Sequence, residues 1–565
     1  MQEGAKRGER MRRGVRVHGR TKLAALAGCL AMTASFAAIG CGGGGTDDDE
    51  AAQGGEMNIT LTSFPDYLDP QISYTLEGWE ALWPTYTPLL TYRHEAGETG
   101  TEVVPGLAED LPEISSDGKT YTLTLRDGMK YSDGTPIKAS DFKFAVERMF
   151  DTESGGSSFY TTIVGAEDYQ AGKAKDISGI DANDDTGEIT IELTDPRGTF
   201  NNELGLMFVA PVPQNTPSED QTKNPPPSSG PFEITDVQPG RSFVMERNPE
   251  FDTIQDAGAD EVADANVDKI TVTENTNNSA QVTDVEQNKV DFMVDPPIAD
   301  RLPEVEQQYE DRFRFEDSLN TYYFWMNNQE PPFDDLKVRQ AVNYAIDPEA
   351  LNRIFGGRLN PDQQILPPGM PGYEEYELYP GPDVEKAKKL LQQANPSDTD
   401  ITVWTDDEPD RKRIGAYYQD VLNDIGFNAE LKVIAGEIYF TTIGNAKTPN
   451  LDTGFTDWFQ DYPHPNDFFE PLLNGESILP TNNNNFGNVD IPELNKEINT
   501  LAQEQLTDDV EQQYADLDRK YMEQAVWAPY GNERFTTFVS DRIDFDQVYH
   551  HLLFNEDYTS FAVTE

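Results

Sequence analysis

Five histidines and two cysteines supply all the imidazole and thiol chemistry in 565 residues. His18 sits in a basic leader, and His94, His464, His550 and His551 include no pair at the H-E-x-x-H spacing that puts two imidazoles on one helix face. His550 and His551 are adjacent, and adjacent side chains in a strand point apart, so they read as a strand end or a surface feature and not as a metal centre. Cys29 and Cys41 both precede the globular body, which leaves it no disulfide framework, thiolate metal site or cysteine nucleophile. Neither a G-x-S-x-G elbow nor a phosphate-binding P-loop occurs. Asp47-Asp48-Asp49-Glu50 is acidic enough to attract calcium, but it reads as a solvated tether. Asp and Glu total 102, so many that a pair of carboxylates by itself carries no information. The sequence therefore predicts no enzyme, no cofactor and no metal.

Against those 102 acids stand 43 Lys and Arg, a formal charge of −59. Such a surface repels nucleic-acid phosphates and anionic lipid head groups, and neither is an expected partner. The length allows two or three domains, and 37% hydrophobic with 10% aromatic residues argues against wholesale disorder.

The first 40 residues read as an address. Lys6, Arg7, Arg10, Arg12, Arg13, Arg16, Arg20 and Lys22 precede an apolar, small-residue stretch from Leu23 to Gly40, the layout of a secretory signal. Its exit, Ala38-Ile39-Gly40-Cys41, resembles a bacterial lipobox, which makes Cys41 the lipidated first residue of the mature chain. Leu26-Ala27-Gly28-Cys29 matches that consensus better by letter but leaves an apolar run of only six residues before it, so Cys41 is preferred. An uncleaved anchor is the other reading, because eighteen mostly apolar residues can just span a bilayer. Either way the body is tethered outside the cytoplasm. Losing residues 1–40 removes eight basic and two acidic residues and leaves the mature chain near −65. Residues 41–56 are glycine-rich and acidic and read as a flexible spacer.

The body alternates short strands and helices, a mixed α/β pattern in several lobes. Met57 to Thr62 and Lys119 to Leu125 alternate as strands, as does Ile401 to Trp404. Ser140 and Asp141 open a helix whose apolar face is Phe142, Ala145, Val146 and Met149. Further helices are predicted over Val338–Ile346, Asp383–Ala394, Arg413–Ile425 (stopped by Gly426) and Val510–Val526, with Asp347-Pro348 opening another. Asn224 to Pro231 is a proline-rich loop.

Several runs carry a family resemblance: Pro105-Gly106-Leu107-Ala108-Glu109, Asp117-Gly118-Lys119-Thr120-Tyr121, and Tyr131-Ser132-Asp133-Gly134-Thr135-Pro136. Glu246-Arg247-Asn248-Pro249-Glu250-Phe251, then Pro332-Phe333-Asp334-Asp335 before Val338-Arg339-Gln340-Ala341, follow in order. Together they resemble the extracytoplasmic solute-binding proteins of family 5, the peptide- and nickel-type receptors of ABC importers, over essentially all of residues 57–565. One departure is Asn288, where the family usually has a small residue.

The resemblance implies two lobes joined by a hinge that close on ligand as a clamp, with an additional small domain on the first lobe. Carried onto this chain, lobe I takes 57–92, 208–318 and 536–565, the small domain 93–207, and lobe II 319–535. It implies a monomeric receptor for peptides that works with the permease and ATPase subunits of an ABC importer. In peptide-binding members a W-x-x-D-Y motif supplies an aspartate for the ligand's α-ammonium; here that is Asp461, with Trp458 as a neighbouring wall. Asp461 opening a local turn before Tyr462-Pro463 is the competing reading. Tyr74, Thr75 and Leu76, with Ser73, match a segment that offers backbone groups to an extended ligand as an added strand. Trp404 and Tyr323 are weaker pocket candidates. No residue stands out for the ligand's carboxylate. His464 stands where the family often has an acid, which bears on local hydrogen bonding. A nickel chelate, a glycoside or an opine as solute, a sensory lipoprotein and an extracellular hydrolase are the alternatives.

Overall fold

Alternation of Met57, Ile59 and Leu61 makes Glu56–Leu61 a strand whose apolar side chains are no more than 1% exposed. The protein is described here by a computed structural model over residues 54–564; the leader, Cys29, Cys41 and most of the tether lie outside the described residues. Glu56–Leu61 runs parallel to Lys269–Glu274 and to Phe292–Met293. Antiparallel Ser242–Arg247 and Phe232–Gln238 complete a five-stranded sheet.

A second sheet has six strands, in the order Leu359–Asn360, Trp527–Glu533, Asn320–Met326, Thr453–Phe459, Asp400–Asp406 and Asn428–Ile434. Asn320–Met326 is paired on both edges and buried at every position, which is why it reads as a continuous apolar run and not as an alternation. A third sheet of four strands, Glu113–Ile114, Thr120–Thr124, Glu188–Glu192 and Ile180–Ala182, packs with the helix Ala139–Asp151. Between the two large sheets, Phe313–Glu316 pairs antiparallel with Phe535–Phe538, so the chain leaves one lobe and returns through adjacent strands. This two-lobed α/β architecture with a small third sheet is the one the sequence predicted.

Capping explains where several helices start. Asp347, Asp383 and Thr507 each accept a backbone N–H from the first turn of Pro348–Ile354, Val384–Ala394 and Asp508–Glu523. The last of these ends three residues before the Val526 that periodicity suggests, because Trp527–Glu533 is already a strand. Pro529 pairs with Tyr323 directly beside a register shift between Tyr322 and Tyr323, and strands accept proline next to such bulges. His550 and His551 form a two-residue strand as expected, but both are buried and not on the surface. The His551 ring lies against Trp83 and its Nε2 is 2.8 Å from the Gly100 carbonyl oxygen. No helix among the described residues is long and apolar enough to cross a membrane.

Candidate functional site

Thr453–Phe459 carries Asp457, Trp458 and Phe459 to the end of the six-stranded sheet, and the chain then turns through Asp461 into the helix Asn466–Leu473. Asp467, in the first turn of that helix, braces the turn: its Oδ2 accepts the Asp461 backbone N–H at 2.9 Å and the Trp458 indole N–H at 3.3 Å. The Asp461 side chain is thereby left free of the local backbone. Its Oδ2 instead accepts the hydroxyl hydrogen of Tyr74 at 3.0 Å, a contact between segments 387 residues apart. The local-turn role considered for Asp461 thus belongs to Asp467.

Two carboxyls side by side need either a proton or a cation, and this pair has no cation of its own. Burial holds the Asp467 carboxyl well above the ordinary carboxylate range, with the Asp461 charge adding to the effect. Enclosure by protein pushes Asp461 up to about 7, against the pull of the Tyr74 hydrogen bond. Among the described residues no Lys, Arg or His pairs with either. A cavity of about 340 Å³ opens beside them, walled by Tyr74, Trp458, Phe459, Phe440 and Phe486, with Asp457 and Asn484 as its other polar groups. Tyr74 and Phe440 remain 40% and 37% exposed, large rings turned toward solvent in a cleft. An apolar, aromatic-walled cleft with a few convergent polar groups is the usual form of a small-ligand site.

Three parts of the sequence reading need correction. Tyr323 stacks on Trp527 at 3.6 Å between ring centroids and is 1% exposed. Trp404, also 1% exposed, donates its indole N–H to the Asn450 carbonyl at 2.7 Å and carries the Lys432 ammonium over its ring. Both belong to the sheet's packing, because strands this central bury both faces. Thr75 and Leu76 offer no open strand edge. Thr75 caps the helix Leu76–Leu82, its carbonyl taken by the Trp79 N–H, while the Ser73 carbonyl is held by the Trp79 indole. Asp66 takes the Tyr74 N–H at 2.8 Å. What this segment contributes is the Tyr74 side chain.

Residues 102–478 match the model of the bacterial extracellular solute-binding proteins, family 5, in its middle region. The chain belongs to this family. It is 24% identical over 462 residues to the probable D,D-dipeptide-binding periplasmic protein DdpA of Escherichia coli (strain K12), an alignment covering 79% of this chain and 83% of that one. It is also 24% identical over 470 residues to the oligopeptide-binding protein OppA of Bacillus subtilis (strain 168), covering 78% and 82%. Among solved structures, the clavulanic acid biosynthesis oligopeptide binding protein 2 superposes with a TM-score of 0.83 at 25% identity, over 91% of this chain and 96% of that one.

Several side chains of this family 5 protein escape a reading of the sequence. Phe440 comes from the short helix Tyr439–Ile443 and Phe486 from a distant loop, and nothing in their local pattern points to a shared wall. Asp467 is one acid among 102; its place in the first turn of a helix was the only available signal. Arg411, on the helix Pro409–Ile425, touches the lining residue Asp457 at 3.6 Å and is also engaged by Asp406 at 2.8 Å. His464, the departure from the family pattern, is buried, and burial lowers its pKa to about 3 with help from Arg197. The neutral ring accepts the Asn466 N–H at 3.1 Å, so it braces the turn and stays out of the cleft.

Proposed function

We propose that this protein is a lipid-anchored receptor that captures peptides outside the cytoplasm and hands them to the permease of an ABC importer. The observation that carries the reading is the Asp461–Asp467 pair: two carboxylates without a cation, at the end of an aromatic cleft between two lobes. A peptide's α-ammonium fits that vacancy in charge, and its backbone and side chains fit the walls. The relatives bear names of dipeptide- and oligopeptide-binding proteins, which supports the same solute. Closure of the lobes about the ribbon of Phe313–Glu316 and Phe535–Phe538 traps the ligand, and ATP hydrolysis on the importer's other subunits drives transport. Cys41 carries the lipid that keeps the receptor at the membrane.

Mass spectrometry of molecules released from the purified, denatured protein tests the solute. A mixture of short peptides is the expected result; a single sugar or metal chelate overturns the reading.

Tyr74→Phe probes the site without removing a charge. Loss of the hydroxyl donor leaves the Asp461 carboxylate less stabilised, so the pH at which amine binding is half-maximal moves upward. Peptide affinity at pH 8 changes by less than about tenfold, the range of a single hydrogen bond. Titrating peptide binding against pH in both proteins checks both outcomes.

A further inference from the structure

Tyr74 lines two cavities: the cleft beside Asp461, and an outer one of about 500 Å³ walled also by Asp151, Ser154 and Gly155. What fixes its ring therefore fixes one end of the hydrogen bond to Asp461. The Tyr74 backbone N–H is held by Asp66, and the ring stacks on Trp79 with centroids 5.8 Å apart and planes at 14°. Phe208 meets the ring edge-on at 5.2 Å. Phe208 is fully buried, and the Trp79 indole N–H is tied to the Ser73 carbonyl at 2.9 Å, so both are fixed walls.

A further neighbour has no side chain. Gly155 opens the 3-10 helix Gly155–Tyr160, and a Cβ placed on it falls 2.7 Å from Tyr74 Cδ1 and 3.3 Å from Cε1. Carbon atoms do not pack that closely, so a side chain here displaces the ring. The backbone itself does not ask for glycine, because Gly155 is exposed and lies outside the left-handed region. Its neighbour Gly156 does the same service for Phe208, whose ring carbons lie 2.5 Å from a Cβ built there. Gly155 lines the outer cavity and not the cleft. A methyl group at 155 therefore drives the Tyr74 ring toward the open cleft and its hydroxyl off Asp461.

We propose that Gly155 is a positioning residue of the ligand site: by carrying no side chain it seats the Tyr74 ring where the hydroxyl reaches Asp461, and so tunes that carboxylate without touching the ligand. The consequence for amine binding rests on the peptide reading; the seating of the ring does not.

Carbon-13 NMR of the full chain, labelled at its aspartate carboxyls, reads the titration of Asp461, whose signal is identified by its loss in Asp461→Asn. The titratable groups around it are Tyr74 and Asp467, with Glu470 beyond Asp467 and His464 held neutral by burial. Tyr74→Phe alone is expected to move the midpoint up by about half a pH unit or more, the equivalent of one hydrogen bond. In the Gly155→Ala background the same change is expected to move it by less than about 0.2, because the hydroxyl has already left. Equal movement in both backgrounds overturns the proposal. Thermal melts establish that Gly155→Ala is folded. If it is too unstable to titrate, adding Tyr74→Ala vacates the place of the ring and restores folding; failure to restore it overturns the proposal. With tri-alanine as the peptide probe, Tyr74→Phe raises the pH of half-maximal binding in the wild-type background and not in Gly155→Ala. If tri-alanine binds to no variant while the NMR result is as expected, the seating of Tyr74 stands and the peptide reading falls.

Discussion

Replacing Asp461 with asparagine is expected to weaken binding of free-amine peptides by roughly 100-fold or more, and binding of the same peptides N-acetylated by less than about threefold. The size follows from the environment. Removing one partner of an enclosed ion pair strands the other, which costs about 3 kcal/mol or more. The acetylated peptide has no ammonium to strand, so its loss measures only the altered shape of the site. Equal losses for both ligands mean that Asp461 is structural. The wild-type protein makes a linked prediction about pH. Ammonium binding requires the ionised carboxylate, and the empty site holds Asp461 up to about 7. Affinity for free-amine peptides therefore falls as pH drops below about 7, and binding near pH 6 releases a proton. Calorimetry in two buffers of different ionisation enthalpy reads that proton directly. The sign for the empty protein's stability is opposite. The folded carboxyl keeps its proton up to about pH 7, whereas the unfolded one releases it near the ordinary aspartate value of 3.8. The unfolded state binds fewer protons in that window, and the empty protein loses stability as pH rises through it.

Replacing Arg148 with methionine is expected to cost about 3–5 kcal/mol of folding stability, the range for breaking a buried pair from one side. Arg148 and Asp69 have fully buried side chains. They meet through two parallel N–H···O bonds of 2.7 and 2.6 Å. Arg148 also donates to the Gln71 side chain at 2.7 Å and to the carbonyls of Pro217 and Glu219 at 2.8 and 3.0 Å. Methionine matches the stem but leaves the Asp69 charge in the interior with only the Gln71 and Gln221 backbone N–H groups, and takes the arginine's donors from three further acceptors. The position also bears on function. Arg148 belongs to the helix Ala139–Asp151, while Asp69 and Gln71 lie just before Tyr74. The pair therefore fastens the small third sheet's helix to the loop that presents Tyr74 to Asp461. Urea unfolding measures the loss. The double variant Arg148→Met/Asp69→Leu recovers part of it if the stranded charge is the cause, and recovers none if lost packing is.

Much of the fold was legible because local rules agreed with the tertiary outcome. Asp347-Pro348 announced a capped helix, and Met57, Ile59 and Leu61 announced a half-buried strand, since each pattern has one favourable backbone solution. The aromatic candidates failed for an equally physical reason. Trp404 and Tyr323 belong to strands, and a strand's sequence does not tell whether a ring faces a cleft or a neighbouring layer; here both face the layer. Ser73 to Leu76 failed through capping, because Thr75 spends its hydroxyl and carbonyl on a helix that the apolar spacing of so short a segment does not announce.

Sequence alone determined the class of protein and the one turn that carries Asp461, since these depend on contiguous motifs. A charge of −59 argued against anionic partners without naming a ligand. Tertiary structure decided which of 102 acids lack a counter-charge. Asp461 and Asp467 are six residues apart and meet because a turn folds back on a helix start; Tyr74 joins them from 387 residues away. Whether a carboxylate is solvated, paired or waiting for a cation depends on what surrounds it in space. That is a property of packing, and no stretch of sequence records it.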